Sequence, residues 1–257
     1  MPEIIPIAKS EYVAEYTEYA RKHCLISGFW DNIFTNTDRY CIKCGNDIIG
    51  FTSIFRQENM LTAFFIREGW EYYVQQAFDC VKSELSPAGA RVMTNDEIFL
   101  SAALEHAREV NQQAYLFALT DRSVKPARYP SLWFRAATDA DIEDLTATDF
   151  YDSVVIDNPE NQIYVLRDDS NTFLGTGHIY ISPVKNNCGA VGMYTAPEFR
   201  NKGIAHSIIT FLTEIVKCER LVPIACCNTH NIASRKTLES CGYTTNTRYI
   251  NLIFHKE

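Results

Sequence analysis

Residues 191–212, VGMYTAPEFRNKGIAHSIITFL, decide how this chain is read. The stretch opens as a strand, stops near Pro197, and turns through Arg200, Asn201, Lys202 and Gly203 into a helix. Ile204, Ile208, Phe211 and Leu212, continued by Ile215 and Val216, recur at helical spacing. A helix start leaves several amide N–H groups unpaired and carries partial positive charge, so it attracts anions. Gly203 has no Cβ and lets a phosphate approach the backbone. Ala205 keeps the next turn small, and Arg200, Lys202 and His206 add charge or donors. These features predict a phosphate or pyrophosphate site over 200–206. No GxGxxG or Walker pattern accompanies it, so dinucleotide-binding and P-loop readings do not apply.

Working outward, LWFRA (132–136) reads as a strand and TDADIEDLTATDF (138–150) as a helix capped by Thr138 or Asp139. QIYVLRD (162–168) and FLGTGHIYI (173–181) alternate around a polar turn, as a hairpin does. After the deciding stretch come a strand, LVPIACC (221–227), a helix, NIASRKTLESCGY (231–243), and a last strand, RYINLIF (248–254). The first half repeats this order. EIIPI is a strand, SEYVAEYTEYARKHC (10–24) a helix and YCIKCGNDIIGFTSIF (40–55) a hairpin. MLTAFFI is a strand, WEYYVQQAFDCVKSEL (70–85) a helix and ARVMT a strand. EIFLSAALEHAREV (97–110) is a helix and QAYLFAL (113–119) a strand. Gly69 and Gly203 each precede the long helix that follows hairpin and strand. The order predicts an α+β protein of two tandem units, 1–125 and 131–257, joined by the polar segment DRSVKPARYP (121–130). The alternative is one mixed domain whose order repeats by chance.

The run PEFRNKGIA (197–205) resembles motif A of the GNAT superfamily of acyl-CoA N-acyltransferases, R/Q-x-x-G-x-G/A. NIASRKTLESCGY resembles that family's second cofactor-contacting segment, and LWFRAATDADIEDL its first strand and helix. The resemblance spans about 132–254 in the family's order. It implies two GNAT-like units, each a twisted mixed sheet flanked by helices, with acetyl-CoA as acyl donor and no metal. Backbone groups of Met193, Tyr194 and Thr195 would pair with the pantetheine arm. Amides of Asn201, Lys202, Gly203, Ile204, Ala205 and His206, with the Arg200 side chain, would cradle the pyrophosphate. Asn231 and Ser234 would contact the cofactor, or simply cap their helix. Arg235 or Lys236 would reach the adenosine phosphate, or lie on a solvated surface. The first copy has FFIREGWEYY where the second has PEFRNKGIA, with Trp70 after Gly69, and resembles the degenerate partner of tandem GNAT proteins.

The implied reaction is direct attack of an amine on the thioester in a ternary complex. It needs a neutral amine, a donor for the oxyanion and a proton for the thiolate. A backbone N–H near Met193 or Tyr194 would serve the oxyanion. Leu238 stands where many relatives carry a tyrosine acid, and residues 189–193 hold no carboxylate where many carry a glutamate. His178 and Tyr180 share one strand face. His178 is offered as base and Tyr180 or Tyr194 as acid; the alternative for His178 is a hydrogen-bonded sheet residue. Asp139, Asp141, Glu143, Asp144, Asp149, Asp152 and Asp157 form an acidic stretch that either receives a cationic amine or is a solvated face. The acceptor class is a small-molecule or peptide amine. The rival reading is a non-catalytic CoA-binding or regulatory module.

Composition bounds these readings. The 257 residues, 46% hydrophobic and 22% charged, suffice for sizeable cores. A net charge of −8 argues against nucleic acid as a partner. No signal-like segment or apolar run of spanning length occurs, which predicts a cytoplasmic protein off the membrane. Nine cysteines at irregular spacing read as reduced thiols. Cys41 and Cys44 form a lone CxxC without the second pair that zinc requires.

Overall fold

A computed structural model of the chain describes residues 1–23, 33, 36–148, 150–151, 161–182 and 187–255. These fall into two compact units. One comprises 1–23, 33, 36–114 and 247–255; the other comprises 115–148, 150–151, 161–182 and 187–246.

In the first unit, β1 (Pro2–Ile7), α1 (Val13–His23), β2 (Asp38–Cys44), β3 (Asp47–Phe55) and β4 (Met60–Ile66) lead to a 3-10 turn at Glu71–Tyr73. Then come α2 (Val74–Leu85), β5 (Gly89–Met93), α3 (Glu97–Leu104) and the start of β6 (Ala107–Leu119). β1 to β4 pair antiparallel in chain order, and β4 pairs with β5 in parallel. The strand beside β5 on its other edge is β12 (Tyr243–Phe254), with Tyr249–Ile253 antiparallel to Met93–Gly89. Leu252 and Phe254 join Leu61, Phe64, Phe78 and Phe99 in this unit's core.

The second unit carries β7 (Phe134–Ala136), α4 (Ile142–Thr146), β8 (Gln162–Arg167), β9 (Phe173–Ile181), β10 (Cys188–Thr195), α5 (Ile204–Cys218), β11 (Val222–Asn228) and α6 (Ile232–Ser240). Its pairing repeats that of the first. β7 to β10 are antiparallel in order, β10 and β11 are parallel, and β6 lies beside β11. Ile208, Ile209, Leu212 and Val216 of α5 are buried in its core with Val191, Leu166 and Phe117. Each unit is thus a twisted mixed sheet flanked by helices, the α+β architecture that the repeated element order predicts.

Several local readings differ: the helix expected over 138–150 is a 3-10 turn at Asp139–Asp141 followed by α4, which ends at Thr146, and Leu132 and Trp133 of the strand expected over 132–136 lie in a 3-10 turn. The helix expected over 97–110 ends at Leu104, and residues 107–110 begin β6. Ala107, Arg108 and Glu109 are good helix formers, but β6 has a neighbouring strand on each side in the sheet, and pairing overrides local propensity there. The helix expected from Trp70 starts as the 3-10 turn and becomes α-helical only at Val74. Cys24, the expected end of the first helix, lies outside the described residues.

Candidate active site and cofactor cleft

Parallel pairing of β10 with β11 runs through Cys188↔Val222, Gly189↔Pro223 and Ala190↔Ile224, and stops there, although both strands continue. The Val222 amide donates to the Asn187 carbonyl at 2.8 Å, and the Ala196 amide to the Leu174 carbonyl of β9 at 3.1 Å. The β9–β10 register has no bulge. Alternation along the strand therefore turns the main chain of 191, 193 and 195 toward β11 and that of 192 and 194 toward β9. Met193 and Thr195 face the divergence with backbone donors and acceptors that no β11 residue matches. The Tyr194 main chain is directed into the β9 ladder. The Thr195 hydroxyl is also buried without a hydrogen bond among the described residues.

A cavity of about 250 Å³ opens in this divergence, lined by His178, Gly192, Met193, Cys227, Ser234 and Leu238 among others. His178 stands directly across from Gly192. A Cβ on residue 192 would come within 2.2 Å of His178 Cε1, so glycine there lets the imidazole lie over the strand. Phe150 contacts both His178, at 5.4 Å between ring centres, and Tyr194, at 6.0 Å. His178 Nδ1 is buried with no hydrogen-bond partner among the described residues. Burial pulls the imidazole pKa down to about 4, which keeps the ring neutral near pH 7. Tyr180 packs with Cys188, Ala190 and Ile224 in a small buried cluster. Leu238 is buried and offers no proton. The Cys227 thiol is pushed up to about 11, first by burial, and stays protonated.

At the start of α5, Asn201 and Gly203 have φ of +63° and +87°. The Ser207 amide reaches back to the Gly203 carbonyl at 3.1 Å, so the amides of Ile204, Ala205 and His206 fall before that turn closes. Arg200 Nε lies 3.4 Å from the Thr195 carbonyl, and the Lys202 ammonium sits 5.1 Å from the Phe199 ring centre. The His206 ring is turned elsewhere. Its Nδ1 is 2.9 Å from Ser240 Oγ and its Nε2 is 3.1 Å from the Lys125 carbonyl, so only its amide serves the helix start. The space that a Cβ on Gly203 would fill is taken by Arg128, whose Cδ is 3.2 Å away. Arg128 stands in what reads as linker, and no sequence signal singles it out. Asn231 caps α6, accepting from the Ser234 amide at 3.0 Å, while both residues line the cavity. Arg235 is held by Glu239 at 2.8 Å and the Tyr115 hydroxyl at 3.1 Å.

The strand 191–195, the positive-φ turn at Asn201 and Gly203 and the helix start at Ile204 follow in the order that the resemblance to motif A implies. Two family models match the chain: "Acetyltransferase (GNAT) domain" over residues 8–120 and "Acetyltransferase (GNAT) family" over residues 128–243. The chain is two GNAT-family acetyltransferase domains in tandem. Among solved structures, a GNAT-family acetyltransferase from Colwellia psychrerythraea is similar with a TM-score of 0.81 at 18% identity, over 98% of this chain and 100% of that one. A tandem GNAT protein from the clavulanic acid biosynthesis pathway gives 0.61 at 10% identity, over 98% and 97%. A GCN5-related N-acetyltransferase from Sphaerobacter thermophilus gives 0.52 at 14%, over 83% and 79%. At these identities the likeness is one of fold. No curated protein matches the chain.

In the first GNAT domain, the corresponding helix entry is built differently. Gly69 keeps a φ of +86°, but Trp70, Tyr72 and Tyr73 pack on one another at 4.5–6.2 Å where the second domain has small residues. Arg67 is committed to the Ile48 carbonyl at 2.9 Å and to Glu15 at 3.2 Å. A larger cavity of about 730 Å³ opens between α1, the end of β4 and the start of α3, floored by Tyr19 and Phe65. Its size alone does not make it the reactive site, because the open main chain and unpaired helix start described above belong to the second domain.

Two residues of the acidic stretch, Asp141 and Asp144, are committed to arginines within the second domain. Asp141 accepts from Arg135 at 2.7 and 3.0 Å, from Arg167 at 2.9 Å and from the Thr138 amide at 2.9 Å. The Arg135 guanidinium, chiefly, holds the Asp141 carboxyl well below the usual carboxylate range. Asp144 pairs with Arg167 at 2.5 Å. Asp139 and Glu143 are exposed, whereas Asp149, Asp152 and Asp157 lie outside the described residues. Among the described residues no group of three His, Cys, Asp or Glu could hold a metal, and no helix is long and apolar enough to cross a membrane.

Proposed function

We propose that the second GNAT domain transfers an acetyl group from acetyl-CoA to an amine by direct attack within a ternary complex. The observation that carries this reading is the divergence of β10 and β11, which leaves the main chain of Met193 and Thr195 without a β11 partner, Met193 lining a cavity that also receives His178. Acetyl-CoA supplies the thioester and accepts the departing electrons as thiolate. The pantetheine arm pairs with the main chain of Met193 and Thr195, and the Thr195 hydroxyl gains a partner. Tyr194 contributes its side chain, since its main chain belongs to the β9 ladder. Amides from Asn201 to His206, with Arg200 and Lys202, hold the pyrophosphate. Asn231 and Ser234 close the cavity from α6.

The Met193 N–H is the oxyanion donor. Neutral His178 accepts a hydrogen bond from the amine or from a water that relays its proton to solvent; with a pKa near 4 the ring does not retain it. Tyr194, stacked with Phe150, is the first candidate acid for the thiolate and the more enclosed Tyr180 the second. The acceptor is a small-molecule or peptide amine, and the protein works in the cytoplasm without a nucleic-acid or membrane partner. The first domain, 1–125, is a degenerate copy that binds no CoA, a reading supported by its aromatic helix entry and committed Arg67. The acetyltransferase domain is taken as 131–257 in sequence, although 247–255 pack with the first compact unit and 115–130 with the second. A second reading, a non-catalytic CoA-binding module, is favoured by one feature: Leu238 and the strand 189–193 lack the expected acid and base. Thiol release from acetyl-CoA over a panel of amines separates the two. Amine-dependent release supports the enzyme; binding without release across the panel supports the module.

A further inference from the structure

Three cations gather at the positive end of the 15-residue helix α5: Arg128, Arg200 and Lys202. None of them forms an ion pair among the described residues. A helix N-terminus disfavours cations, and the whole chain is acidic, with 32 Asp and Glu against 24 Lys and Arg. Unbalanced positive charge at such a point is what an anion relieves. Arg128 is also the best fixed of the three. Its amide and that of Tyr129 donate to Ser207 Oγ at 2.9 and 3.3 Å, and Ser207 is fully buried. Upstream, the Lys125 carbonyl is held by His206 Nε2 at 3.1 Å. The segment entering the domain is thereby laid along the first turns of α5. Arg128 Nη1 donates to the Lys202 carbonyl at 3.1 Å, and the remaining guanidinium donors have no hydrogen-bond partner among the described residues.

We propose that Arg128 is a pyrophosphate-binding, affinity-determining residue, supplied by the entry segment to the helix-start cradle. The inference rests on the reading of the second domain as a CoA-dependent acetyltransferase. One arm of the planar guanidinium grips the Lys202 carbonyl and fixes its orientation. The others point a charged fork at whatever anion the α5 amides hold. The pyrophosphate, not the 3′-phosphate, is the partner, because the guanidinium lies within 3.6 Å of the Cβ position of Gly203, inside the first turn.

Calorimetric titration of CoA, dephospho-CoA, pantetheine and inorganic pyrophosphate into the full chain and its Arg128→Ala and Arg128→Lys variants tests this. Arg128→Ala is expected to weaken CoA, dephospho-CoA and pyrophosphate alike by about tenfold. Pantetheine affinity and the thermal midpoint should stay at the parent's values, and Arg128→Lys should recover part of the loss. The salt dependence of CoA binding should flatten in Arg128→Ala. Unchanged CoA affinity in Arg128→Ala, with the parent binding normally, overturns this inference alone. So does a loss seen for CoA but not dephospho-CoA, or one shared by pantetheine. A parent that binds neither CoA nor pyrophosphate overturns the proposed function, and this inference with it.

Discussion

At residue 192 the absence of a side chain decides where an imidazole lies. His178 and Gly192 face each other across β9 and β10, and a methyl group at 192 would overlap the ring. Gly192→Ala is therefore expected to expel His178 from the cleft. Acetyl transfer should fall by about tenfold or more while CoA affinity is kept, as steady-state kinetics beside calorimetry would reveal. The depressed His178 pKa has a sign that can be checked. The unfolded chain takes up this proton near pH 6.5 and the folded chain only near 4, so the stability from keeping the ring neutral is complete above 6.5. It drains away as pH falls from 6.5 to 4. An NMR titration should find His178 still neutral at pH 5.5, and His178→Asn should flatten the acid limb of stability in that window. Asp141 behaves in the opposite chemical sense with the same outcome. Its carboxyl is depressed by Arg135 and Arg167, so its stabilisation is present above pH ~4 and lost below it. Asp141→Ala removes a buried carboxylate from Arg135 and Arg167, leaving Arg167 only Asp144, and should cost about 3 kcal/mol in denaturant unfolding.

Among the elements, the strand–turn–helix of 191–212 was the most legible, because its apolar spacing, Gly203 and basic turn all point one way. The hairpins were nearly as plain, since alternation and polar turns agree. The destination of β12 was not. Its alternation says that it is a strand, but nothing local says that Tyr249–Ile253 will pair with β5 of the first unit. Residues 107–110 were likewise ambiguous: they continue a helical pattern and become strand only because a ladder partner is present. Arg128 was invisible for a related reason, since a cation in a polar linker acquires meaning only once Ser207 and Lys202 are brought beside it. Asp141 was read as one acid among many, and its two arginines come from separate strands. The placement of β12 yields a further expectation. Leu252 is fully buried among core residues of the first unit, so Leu252→Ala should destabilise that unit by about 3 kcal/mol, read as its thermal or denaturant transition.

Over the whole molecule, two GNAT domains share one pairing scheme, and their helix entries differ in chemistry. The second offers open amides and cations without an ion-pair partner among the described residues. The first offers packed aromatics and an arginine already bound to the Ile48 carbonyl and to Glu15. That contrast predicts one cofactor per chain. The most direct test is calorimetric titration of CoA into the purified chain and into Gly203→Trp, with thermal midpoints to confirm that both are folded. One equivalent bound by the parent and none by the variant is the expected result. Two equivalents, or binding that survives in Gly203→Trp, would contradict the assignment of the cofactor to the start of α5.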